Sequence, residues 1–147
     1  MNTKTIITAM LLLFDLTGFA QTKEETIAWI KENLEKYGGT GGIVSYSFIS
    51  VTVTPCSITF IEKNDDNDKP LYKYNFNPSE AKKWTVEEEA FVGLYISADK
   101  HIIKQTNLRD DTNKKTSNIP IKGGESGIHK RLIKALIHLA TFCEQKN

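Results

Sequence analysis

The chain has 147 residues, with 19 Lys plus Arg against 18 Asp plus Glu and a net charge of +1, so it creates no long-range field to gather nucleic acid or an anionic membrane surface. Its 39% hydrophobic and 25% charged residues are the balance of a soluble globular protein and exclude a disordered one. No internal repeat interrupts it.

Residues 1–20 have the pattern of a cleavable signal peptide: Lys4 supplies the positive region, Ile6 to Phe14 the apolar stretch, and Gly18-Phe19-Ala20 the small residues at the cleavage point. About nine apolar residues ending at Asp15 cannot cross a hydrocarbon core that needs roughly 20. The absence of a Cys at the cleavage point argues against a lipoprotein. The mature chain then begins at Gln21 and is periplasmic or secreted, with no transmembrane span. Residues 21–147 are the length of a single domain with its own core.

Thr22 and Glu25 form a capping box, which predicts a helix start. Ile27, Ile30, Leu34 and Tyr37 then recur at helical spacing as one apolar stripe. Gly38-Gly39 is expected to end the helix by adopting the left-handed cap. From Ile43 to about Ile121 the period changes to alternation, the mark of an antiparallel sheet. The predicted strands are Tyr46 to Val53, Cys56 to Lys63, Leu71 to Phe76, Glu88 to Ser97, Lys100 to Thr106 and a short one near Ile119. Alternation places Ile49, Val51 and Val53 on one face, with Ile58 and Phe60, then Tyr72, Tyr74 and Phe76, then Val92, Leu94 and Ile96. Asn64 to Lys69 and Ala98-Asp99 read as hairpin loops, and Asn77 to Thr85 as a helical turn. A final helix from about Ser126 to Cys143 gathers Ile128, Leu132, Leu136, Leu139, Ala140 and Cys143 on one side, with Lys130, Arg131, Lys134, His138 and Thr141 on the other. The fold class is therefore α+β: an antiparallel meander of about six strands with an N-terminal and a C-terminal helix packed on it.

Cys56 and Cys143 are a candidate disulfide, because an exported chain matures where thiols oxidise. Two reduced thiols packed as small hydrophobes are the other reading. No catalytic residue, metal site or cofactor emerges from the remaining motifs. Asn64, Asp66 and Asp68 have calcium-loop spacing, but Lys69 stands where the turn Gly belongs and Asn75 where the bidentate Glu belongs. Gly38 to Gly42 and Gly123-Gly124 lack the Lys-Ser/Thr ending of a phosphate loop. His129 and His138 fall on opposite sides of one helix and cannot share a metal locally. Within Glu87-Glu88-Glu89 only the first and last share a strand face. Trp29 lies off the first helix's stripe and Trp84 in a predicted loop. Each is a candidate partner contact or a cover on the core edge.

The opening Thr22-Lys-Glu-Glu-Thr-Ile-Ala-Trp-Ile, the segment Cys56-Ser-Ile-Thr-Phe and the ending His129 to Cys143 together resemble small exported proteins of Bacteroidetes-type bacteria. That resemblance implies a periplasmic or secreted setting and carries no activity. A meander closed by a C-terminal helix is also similar to the pleckstrin-homology-like, partly open barrel, from which the leading helix departs. The expected function is a non-enzymatic binding or interaction module whose partner is a protein or small ligand. The alternatives are a hydrolase built on His101, His129 or surface carboxylates, and an accessory subunit of an envelope complex docking through Trp29 or Trp84.

Overall fold

The computed structural model describes residues 21–89, 93–123 and 127–143. The predicted signal peptide, the predicted sheet residue Val92, Gly124 and the predicted helix start at Ser126 lie outside the described residues. Helix α1 spans Lys23–Tyr37. Strands follow as β1 (Gly39–Thr40), β2 (Tyr46–Thr54), β3 (Ser57–Asn64) and β4 (Pro70–Phe76), then a 3-10 turn at Pro78–Glu80. The chain continues through β5 (Trp84–Glu89), β6 (Gly93–Ala98), β7 (Ile103–Asn107), β8 (Asn113–Thr116) and β9 (Asn118–Ile121) to helix α2 (Ile128–Cys143). The fold is α+β. A curled antiparallel sheet has the order β1-β2-β3-β4-β7-β8, and a smaller one the order β5-β6-β9. A bridge between Gly38 and Ile121 joins the two.

The N-terminus of α1 is capped reciprocally. The Thr22 hydroxyl accepts from the Glu25 amide at 3.2 Å, and the Glu25 carboxylate accepts from the Thr22 amide at 2.8 Å. The helix end differs from expectation: Gly38 is extended (φ −68°, ψ 139°) and not left-handed. Glycine is needed there because the strand comes close. A Cβ on Gly38 would lie 2.0 Å from the Phe48 ring and 2.4 Å from the Leu34 carbonyl oxygen. Gly39 does take a positive φ, 119°, and a Cβ there would meet the Tyr46 backbone.

Three strand expectations are corrected. Ile49 does not share a face with Val51 and Val53, because β2 carries a bulge between Ile49 and Thr52 with Ser50 at φ 53°. The extra residue switches the buried set from Phe48 to Val51 and Val53. The predicted single strand Glu88 to Ser97 instead falls on two, the end of β5 and most of β6, which pair from Trp84↔Ala98 to Glu89↔Gly93. Trp84 thus opens a strand rather than lying in a loop. Ala98-Asp99 does not close a hairpin either. It turns the chain out of the small sheet, anchored by the Asp99 amide on the Lys83 carbonyl and by the Lys82 amide on the Asp99 carboxylate, and β7 then pairs with β4.

The core lies between the concave face of the larger sheet, the smaller sheet and the two helices. Ile30 and Leu34 enter it from α1, and Ile128, Leu132, Leu136 and Leu139 from α2, all nearly or fully buried. Phe48, Phe60 and Tyr74 stack across β2, β3 and β4 at centroid distances of 4.0 and 4.9 Å, a cross-strand ladder of the kind that stabilises sheets.

Candidate functional site

Residues paired directly across antiparallel strands share a face, so the registers map the concave surface. Val53, Ile58 and Phe76 form one apolar row. Phe60, Tyr74, Gln105 and Lys114 form the next, and Phe48, Glu62, Tyr72 and Asn107 the one beyond. Tyr46 opposite Asn64 ends the surface. The face therefore changes from aliphatic to aromatic to polar along the strands. The helices pack over its apolar part and leave the polar end open.

Two adjoining cavities mark that end. One of about 170 Å³ is lined by Tyr72, Gln105, Asn107, Thr112, Asn113 and Lys114. The other, of about 200 Å³, is lined by Tyr46, Leu71, Tyr72, Asn107 and Arg109. Tyr72 and Asn107 belong to both. The side chains of Tyr46, Tyr72, Arg109 and Lys114 have no hydrogen-bond or ion-pair contact among the described residues.

Behind this cleft lies a buried polar group. Glu62 is 7% exposed; burial pushes its carboxyl up to about 7, against the opposing pull of the Tyr74 hydrogen bond and the Lys114 charge. The Tyr74 hydroxyl in turn accepts from the Gln105 amide at 2.7 Å. Burial and the neighbouring Glu62 raise the Tyr74 phenol far above its ordinary value. Composition and motif scanning missed this group because Glu62, Tyr74 and Gln105 come from three strands and meet only through the register.

A second polar cluster pins the β3–β4 turn to the segment after β9. Asp65 accepts from Ser45 at 2.6 Å, from Ser47 at 3.0 Å and from the Lys122 ammonium at 3.0 Å. Burial alone would raise the Asp65 carboxyl, but the two hydroxyls and the ammonium outweigh it and hold it at about 2. The pairing makes this a clasp. The rest of the Asn64 to Lys69 loop is turn chemistry: the Asn64 side chain accepts from the Asp66 and Asn67 amides, and Lys63 pairs with Asp68.

The predicted site residues are dispersed. Cys56 and Cys143 are joined as a disulfide with their Cα atoms 5.0 Å apart. Trp84 is 6% exposed and packs on Phe76 at 5.9 Å. Trp29 is half-buried against the core. His101 is exposed, whereas His129 is buried with its ring toward the Ile121 carbonyl. His138 faces the Gln21 carbonyl oxygen at 3.0 Å. The structure gives His129 and His138 separate partners and, among the described residues, pairs none of the three histidines with a carboxylate. Among the described residues no group of three or more His, Cys, Asp or Glu could hold a metal ion, and no helix is long and apolar enough to cross a membrane.

Comparison with protein-family models, with curated proteins and with solved structures returned no match to this chain.

Proposed function

We propose that residues 21–147 form a non-enzymatic binding module that works in the periplasm or as a secreted protein, and that its ligand occupies the open end of the concave sheet. One observation carries the reading: two cavities share Tyr72 and Asn107, and of their lining the side chains of Tyr46, Tyr72, Arg109 and Lys114 make no hydrogen bond or ion pair among the described residues. Uncommitted hydrogen-bonding groups converging on a concavity are the usual makings of a small-ligand site. The export setting draws support from the Cys56–Cys143 bridge, since such bonds persist in oxidising compartments, and from the leader-like residues 1–20. A curled antiparallel sheet with a C-terminal helix over it supports likeness to a pleckstrin-homology-like barrel, with α1 and the β5-β6-β9 sheet as additions. Likeness of fold carries no lipid binding with it.

The test is a screen of small polar compounds against isotopically labelled residues 21–147, followed by amide shifts, with the same mixtures assayed for turnover. Shifts confined to Tyr46, Tyr72, Asn107 and Lys114 and their neighbours, without turnover, are expected. Turnover that His129→Ala abolishes, or binding centred elsewhere, would reject the reading.

A further inference from the structure

From the lining of the two cavities we infer the ligand class: a short acidic saccharide, two linked sugar rings each bearing a carboxylate. The inference rests on the binding role proposed for this cleft and goes on to name the chemistry it selects.

Size comes first. Cavities of about 170 and about 200 Å³ are each smaller than the roughly 300–1,000 Å³ usual for a drug-sized molecule, and each gives room for a single sugar ring. They adjoin through Tyr72 and Asn107, so two linked rings can lie side by side across one phenol face. The lining is almost wholly polar. Gln105, Asn107, Thr112 and Asn113 bring amides and a hydroxyl that hold Tyr74, the Arg109 amide, Asp110 and Thr106 in turn and keep capacity for further hydrogen bonds; Tyr46 and Tyr72 offer flat rings with hydroxyl tips, and Leu71 is the one aliphatic side chain. An apolar ligand would strip water from these groups without replacing its hydrogen bonds, at a cost for each group left unpaired. A polyhydroxylated ring replaces them and presents its axial C–H face to a tyrosine.

Charge sets the remaining property. Each cavity has one cation in its lining, Lys114 in the first and Arg109 in the second, and neither lining contains a carboxylate. Of the nearby acids, Asp110 accepts from the amide and hydroxyl of Thr112, and Glu62 is buried beside Tyr74 with the Lys114 charge acting on it from a distance. Lys114 and Arg109 both belong to the β7–β8 hairpin, and neither side chain makes an ion pair among the described residues. One cation per ring-sized cavity matches one carboxylate per ring, and Arg109 can take its carboxylate through two N–H groups.

Calorimetric titration of residues 21–147 with digalacturonate, galacturonate, galactose and inorganic phosphate tests the proposal. The expected order is digalacturonate about tenfold tighter than galacturonate, with galactose and phosphate at least tenfold weaker again. Lys114→Gln and Arg109→Gln, both at exposed positions, each weaken digalacturonate about tenfold and leave the melting temperature unchanged. Galactose or phosphate binding as tightly as the uronates would overturn the assignment, as would full affinity in both glutamine variants. If the uronates fail while other polar compounds shift Tyr72 and Asn107, this inference alone falls. If nothing binds at the cleft, the binding role falls with it.

Discussion

Glu62 and Asp65 lie three residues apart and respond to burial in opposite senses. Glu62 is faced by Phe48 from β2, by Tyr72 and Tyr74 from β4 and by Lys114 from β8. Burial outweighs the Tyr74 hydrogen bond and the Lys114 charge, so the folded chain holds its proton up to about pH 7 against 4.5 for the free group. A raised carboxyl contributes stability that is fully present below the unfolded value and is lost as pH rises through the folded one. Asp65, lowered from 3.8 to about 2, contributes above its unfolded value and loses that contribution as pH falls toward 2. Urea unfolding between pH 4.5 and 8 should therefore show stability falling by up to about 3 kcal/mol, and Glu62→Gln should flatten that slope. Asp65→Asn should weaken the fold at pH 5 and have little effect at pH 2. Gly38→Ala should cost about 1–3 kcal/mol, because either the Phe48 ring or the backbone of α1 must shift to admit the new methyl. Sequence reading placed Gly38 at the helix end and named the wrong reason for it. Close approach of a ring from another strand is a tertiary fact that local spacing does not encode.

At the scale of elements, α2 was the most readable part of the chain. Of the residues assigned to its apolar side, Ile128, Leu132, Leu136 and Leu139 are buried and Ala140 and Cys143 are half-buried, because a helix facing a sheet must keep one period along its whole length. Leu132→Ala should lower unfolding free energy by about 2–5 kcal/mol in denaturant titration. The end of this helix is tied by Cys143 to Cys56, between β2 and β3 and 87 positions away in sequence. Reduction, or the paired Cys56→Ser and Cys143→Ser change, should cost about 2–4 kcal/mol and lower the melting temperature accordingly. The strands were harder to read. Asn113–Thr116 forms β8 with no aliphatic side chain, and an exposed edge strand needs none. The β5–β6 hairpin was concealed because Glu87 and Glu88 read as a strand start, whereas Trp84 and Val86 already occupy strand positions opposite Ala98 and Ile96.

For the whole molecule, one surface is divided between core and cleft. Its apolar rows are covered within the core, and at the far end Tyr46, Tyr72 and Asn107 are only half-buried and Lys114 is exposed, around the proposed binding cleft. The α+β class and both helices could be read from periodicity, but the cleft could not. Tyr46, Tyr72, Gln105, Asn107 and Lys114 come from four strands, and only the register gathers them. Tyrosine nitration of folded residues 21–147, read by peptide mass spectrometry, tests this division of the surface most directly, since the reagent needs an accessible, ionisable phenol. The account predicts modification of Tyr46 and Tyr72, suppressed when the cleft is occupied, with Tyr74 untouched because it is 5% exposed and its phenol resists ionisation. Nitration of Tyr74 as fast as Tyr72, or a Tyr72 that stays unmodified without ligand, would contradict it.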